Sequence, residues 1–253
     1  MYWFGLALEW TSVALQVWIF ILMGRRNLYH RFPLFAVYTA YMIVTTVLRS
    51  VFLSNRPVYF YVYWFSEPGQ ILLAILAVHE SFLAVFRAFY RLWWFRLLIP
   101  GAIFAALVYS AWNAYAHPPL HVNAAGAAII SMAIAAQYVI VVLAVLFFSL
   151  LRIAHVRWRL YEFRIVFGFG ISALAVAFAG LIRSEFVTKF NFLSEWLPGV
   201  AYLLAVFIWL SAMLGEEPKN GHNIAGKPSK KEVIDELRGQ LRAIKKFLGK
   251  KGI

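Results

Sequence analysis

The sequence predicts an all-α, polytopic membrane protein: a seven-transmembrane-helix bundle followed by a cytoplasmic amphipathic C-terminal helix. Three observations carry this expectation. Hydrophobic residues make up 63% of the 253-residue chain and charged residues only 14%, against about 45–50% and about 25% in a soluble domain. The apolar residues gather into seven runs, each close to the roughly 20 residues that a helix needs to cross a bilayer. The arginines between those runs fall mainly on alternate loops.

A soluble fold of this length could not hide so much apolar surface, because most of any globule's surface faces water. The mean hydropathy of +0.73 therefore points to lipid as the solvent. The runs are Trp3–Met23, Pro33–Leu53, Pro68–Phe86, Leu97–Ala116, Ala127–Leu150, Ile165–Leu181 and Leu193–Leu214. All are expected to be helical: a span in hydrocarbon must satisfy its own backbone hydrogen bonds, and none alternates like a barrel strand.

The first run has no basic residue before it, and Arg25 and Arg26 follow it. It reads as an uncleaved first helix rather than a signal peptide. The second and third runs open on Pro33 and Pro68, and proline suits a first helical turn. The aromatic stretch Val58–Phe65 precedes the third and fits the head-group belt, so that helix may be read as starting earlier. The fourth and fifth flank a loop, Tyr115 to Asn123, that holds no Lys or Arg. Loops after the first, third and fifth runs carry Arg25, Arg26, Arg31, Arg87, Arg91, Arg96, Arg152, Arg157, Arg159 and Arg164, ten in all. The opposite loops carry four: Arg49, Arg56, Arg183 and Lys189. That asymmetry places the N-terminus outside and the C-terminus inside a cell (inner, cytoplasmic) membrane.

Residues 1–214 thus form the transmembrane domain, 215–228 a linker rich in Pro, Gly and Asn, and 229–253 a basic tail helix. Ser229 and Glu232 make a capping box. Ile234, Leu237, Leu241, Ile244 and Leu248 then follow at heptad spacing for about two heptads. Eight Lys and Arg flank that stripe. The pattern predicts a helix lying on anionic lipid head groups, with a short coiled coil that joins two copies as the alternative.

The formal net charge of +13 is explained by these loops and the tail, and no basic face with interleaved aromatics points to nucleic acid. There is no cysteine. His117 and His121 have ligand spacing, but Pro118 and Pro119 break the helix between them, so no metal is expected. No phosphate loop, zincin motif or nucleophile–His–acid set is present, and no cofactor is implied. An intramembrane hydrolase using His79 and Glu80 is the weakest reading, and a non-enzymatic protein the expected one.

Two blocks look alike. Leu48-Arg49-Ser50-Val51-Phe52 ends the second run, and Ile182-Arg183-Ser184-Glu185-Phe186 ends the sixth. Phe65-Ser66-Glu67-Pro68-Gly69 opens the third, and Leu193-Ser194-Glu195-Trp196-Leu197-Pro198-Gly199 opens the seventh. Both fit a parallel 3+1+3 repeat with the fourth helix as connector. That plan resembles the SWEET and PQ-loop transporters, although the Pro-Gln pair is absent and Pro68-Gly69-Gln70 only echoes it. The resemblance implies movement of a small solute. Microbial rhodopsins share the helix count, but Leu193–Leu214 has no lysine to hold retinal. Leu8-Glu9-Trp10, Arg25-Arg26, Phe32-Pro33-Leu34-Phe35 and Tyr63-Trp64-Phe65-Ser66-Glu67 also resemble a group of uncharacterised bacterial seven-helix proteins, a likeness that carries no function.

Ionisable residues within spans are functional candidates by default. Glu9, Arg49, Glu67, Arg183 and Glu195 fall near the outer ends of their helices, where two arginines and three carboxylates could form a clamp or a site for a small polar or zwitterionic ligand. His79 and Glu80 lie deeper in the third helix and point about 100° apart, so only one is expected to face the bundle, near Gln16 and Gln137. His79 or Glu80 would serve proton coupling or a plain interior hydrogen bond. The leading expectation is a protein that binds or transports a small polar solute. The alternative is a sensory or scaffold module signalling through its tail. Reporter fusions at His117 and Ile253 are expected to report opposite sides of the membrane; the same side for both would overturn the count or the orientation.

Overall fold

The structure, a computed structural model, describes residues 2–87, 90, 93–116, 124–153, 160–185, 191–215 and 238. Among them are seven long helices and no strand: α1 (Tyr2–Arg25), α2 (Pro33–Val51), α3 (Arg56–Val85), α4 (Trp93–Ala116), α5 (Ala124–Ile153), α6 (Leu160–Glu185) and α7 (Asn191–Leu214). Six carry a stretch long and apolar enough to cross a membrane; the described part of α4 does not make a seventh. The outside is apolar: Trp18, Phe65, Phe104 and Trp112 are all more than half exposed. This is a multi-pass membrane protein whose lipid-facing surface takes the place of a polar one.

The expected third helix is the main departure from the sequence reading. It begins at Arg56 and runs 30 residues with Pro68 inside it. Asn55 caps it, its side chain accepting from the Val58 N–H at 3.5 Å, and Pro57 takes an early position. Pro68 removes one backbone donor without ending the helix, as neighbours in a membrane bundle allow. There Tyr41 Oη donates to the Ser66 carbonyl at 3.0 Å. A side chain on Gly69 would collide with that phenol, so glycine here leaves room for the Tyr41 ring between α2 and α3.

The helices close a ring. α1 packs on α2 and α7, α2 on α3, α3 on α5 and α6, and α6 on α7, which is the most extensive interface. α4 rests mainly on α5, outside that ring. Each triplet, α1–α3 and α5–α7, therefore packs in chain order. The core centres on Phe35, Tyr38, Phe169 and Trp209, whose rings meet mostly edge to face at 4.8–6.5 Å. Trp209 Nε1 donates to the Ile165 carbonyl at 3.1 Å. Its indole fills a notch at Gly168, where a Cβ would sit 2.3 Å from Nε1.

The ends of α1, α3 and α7 and the starts of α2 and α6 share one end of the bundle, called here the basic end for Arg25, Arg26, Arg31, Arg87 and Arg164. Asn27 turns the chain in the left-handed region (φ 53°), which asparagine tolerates, and a 3-10 turn at Leu28–His30 leads into α2. Glu80 of α3, only 8% exposed, accepts from the Leu34 and Phe35 N–H groups at 3.1 and 3.0 Å. Those donors belong to the first turn of α2, where no intrahelical partner exists. Arg26 donates to the carbonyls of Gly215 and Leu214 at 2.7 and 3.1 Å and caps α7 in the same sense. The tail helix expected from Ser229 lies outside the described residues apart from Arg238.

Glu80→Ala should cost about 1–3 kcal/mol, because it strands two buried backbone donors. Glu80→Gln, which keeps one acceptor oxygen, should cost less. Thermal unfolding of the purified variants in detergent checks the order; equal melting for Glu80→Ala and native protein would sink the cap.

Candidate functional site

The ends opposite the basic end gather most of the candidate residues. Arg49, in the last turn of α2, lies against Ser66 and Glu67, about three turns into α3. Its Nη2 donates to Glu67 Oε2 at 3.1 Å, and both Nε and Nη2 donate to Ser66 Oγ, at 3.1 and 2.5 Å. The guanidinium also covers the Tyr63 ring, 4.7 Å from its centroid. The pair is neither buried nor open: the side chains of Arg49 and Glu67 are 19% and 24% exposed. Glu9 of α1 is exposed at the same end and lies within the electrostatic reach of Arg49.

The other candidates are placed apart. Glu195 is exposed on the first turns of α7. Arg183 falls within α6, but its side chain is outside the described residues, so the proposed equivalence of Arg49/Glu67 with Arg183/Glu195 rests on the sequence blocks alone. His79 is half-buried and meets the Tyr90 ring edge-on at 5.8 Å. It lies 12 residues along α3 from Glu67, about 18 Å at 1.5 Å per residue. Glu80 faces α2 and gives both oxygens to its backbone. Glu9, Arg49, Glu67 and Glu195 share one end, with Glu195 outside the Arg49 cluster, whereas His79 and Glu80 belong to the other half of the bundle. His117 and His121 lie outside the described residues; among the described ones, no three His, Asp or Glu gather as a metal set.

Three groups escaped the sequence reading. Ser66 and Tyr63 complete the surroundings of Arg49; Ser66 stands beside Glu67 in the repeated block, which was the available signal. Tyr202 accepts from Gln16 Nε2 at 2.6 Å, and Tyr202 and Tyr38 both meet the Trp209 ring, so a polar trio links α1, α2 and α7. Nothing in the spacing of residues 16, 38 and 202 announces it. Glu162 of α6 pairs with Arg31 at 2.9 Å and is almost wholly enclosed, its side chain 1% exposed. Arg31 is itself held over the rings of Phe32 and Tyr161, 5.2 Å from each. Glu162 was legible as the lone acid among the arginines of the fifth loop.

Chemically, the Arg49 cluster offers a cation, a carboxylate, a hydroxyl and an aromatic face. A guanidinium and a carboxylate that hold each other at a partly open helix end can each accept an opposite charge from a ligand. Comparison with known protein families, with curated proteins and with solved structures found no match to this chain.

A double-mutant cycle on Arg49→Ala and Glu67→Gln should show coupling of about 0.5–2 kcal/mol, the range for contacting groups in one network. Arg49→Lys should not restore it, because lysine lacks the planar fork that serves Ser66, Glu67 and the Tyr63 face together. Additive losses in melting temperature would show the pair to be incidental.

Proposed function

We propose that this membrane protein binds a small solute carrying both charges at the Arg49–Glu67 cluster and moves it toward the bundle interior. The observation that supports this reading is the pairing itself: a guanidinium and a carboxylate, each about one-fifth to one-quarter exposed, shared with Ser66 and an aromatic face. A purely structural pair gains little at such exposure. A zwitterion could replace each partner by its own opposite charge, leaving no ion unpaired. Glu9 adds a second carboxylate for the ligand's cationic end. The arginine asymmetry would put this cluster on the outer face of the cytoplasmic membrane, and the basic tail against anionic lipid on the inner face. The protein is read as a binder without catalytic activity, needing no cofactor or nucleic acid.

A second reading, a sensory or scaffold module, has one observation in its favour. The end of α7, from which the tail departs, is gripped by other helices: Arg26 holds Leu214 and Gly215, and Arg164 Nη1 donates to the Ser211 carbonyl and hydroxyl at 2.5 and 3.1 Å. A shift of α1 or α6 would then reach the tail, and self-association of tails into a homo-oligomer would pass it on.

The test is thermal unfolding of the purified protein in lipid nanodiscs with free amino acids and betaines, against neutral polyols as controls. A zwitterion at 100 times its Kd should stabilise by about 2.7 kcal/mol, and Arg49→Ala and Glu67→Gln should abolish the shift. No shift with any zwitterion would overturn the reading. Where a shift occurs, uptake of that compound into proteoliposomes separates transport from sensing.

A further inference from the structure

We propose that the interior trio of Gln16, Tyr38 and Tyr202 holds a bound water molecule, forming a polar site inside the bundle separate from the Arg49 cluster. The inference rests on hydrogen-bond counting. Gln16 is 2% exposed, and its Oε1 has no hydrogen-bond partner. Its Nε2 donates to Tyr202 Oη at 2.6 Å, and Tyr38, 3% exposed, meets the same Trp209 ring as Tyr202. Tyr202 Oη is the acceptor of that bond, so its own hydroxyl hydrogen is still to be given. The trio therefore has an amide oxygen that wants a donor and a phenolic hydrogen that wants an acceptor. Turning the amide over exchanges Oε1 and Nε2 but still leaves one buried polar end unmatched.

A single molecule that donates once and accepts once satisfies both, and water is the smallest such molecule. The amide oxygen is one carbon away from the nitrogen that reaches Tyr202, so both groups lie within the span of one bridging water. The surroundings favour retention. Trp209 closes one side, its ring 5.9 Å from Tyr38 and 6.1 Å from Tyr202, and its own N–H is committed to Ile165. Gln16 stands nine residues before Arg25, about 14 Å along α1, so the site is well inside the apolar part of the bundle. There an unmatched polar group is costly, since no lipid atom can serve it.

The experiment is pulsed hydroxyl-radical labelling of the full-length protein in nanodiscs, read by mass spectrometry. Radiolysis of a bound water oxidises the rings beside it even when bulk solvent cannot reach them. Tyr38 should be oxidised several-fold faster than Phe35 and Phe169, which are equally buried, and the half-buried Tyr202 no slower than Tyr38. Gln16→Leu should slow both tyrosines and bring Tyr38 down to the rate of those phenylalanines. Arg49→Ala should leave their labelling unchanged while abolishing any solute-induced shift, so the water site and the solute reading fail separately. Labelling of Tyr38 and Tyr202 no faster than that of Phe35 and Phe169 would overturn the proposal. So would a Gln16→Leu protein that melts higher than the native one, since a bound water would make loss of the amide destabilising.

Discussion

Everything in this bundle depends on finding partners for backbone groups at helix ends. A transmembrane helix satisfies its own interior, but its first N–H groups and last carbonyls have no partner within it. Here side chains from other helices supply them. Glu80 of α3 closes the start of α2, and Arg26 of α1 closes the finish of α7. Each cap does two tasks at once: it saturates an end and fixes the relative height of two helices. Apolar packing alone sets height poorly, because lipid tails compete with side chains as neighbours. The basic end is thus the framework from which the rest of the bundle is registered, with the enclosed Arg31–Glu162 pair tying α6 to the α1–α2 turn.

The opposite end is built differently. Its charged groups serve each other rather than backbone, and they remain partly open. The contrast separates two uses of ionisable residues in a membrane protein. Glu80 and Glu162 are enclosed, Glu80 with both oxygens on backbone N–H groups and Glu162 with one on Arg31, whereas Arg49 and Glu67 are partly open. Between the two ends, the aromatic core around Trp209 keeps α2, α6 and α7 in contact through ring edges and a single glycine notch.

The helical class and most of the spans could be read from the chain, because apolar length is a local property. Proline is favoured at helix starts, so the apolar run is counted from Pro68, and the aromatic stretch before it, flagged as an earlier start, is already helix. Arg49 and Glu67 were legible as candidates because charge in an apolar run stands out. Their union with Ser66 and Tyr63 was not, since it depends on how α2 crosses α3 at Gly69. Glu80 could be flagged as interior, but its task could not, because the donors it serves belong to backbone that looks the same in every helix. The Gln16–Tyr202 bond joins residues 186 positions apart, beyond the reach of any periodicity.

That same separation bears on the order of assembly. α1 is made first, and its two ring neighbours are α2, which follows at once, and α7, which comes last. Until α7 enters the membrane, Gln16 lacks Tyr202, Arg26 lacks the carbonyls of Leu214 and Gly215, and the ring has a gap on one side of α1. Closure is therefore a late event in biogenesis, made by the helix that leads into the tail. A nascent chain truncated before Asn191 would retain hydrophobic spans sufficient for insertion but would present the polar face of α1 to lipid, a surface that membrane quality control could recognise.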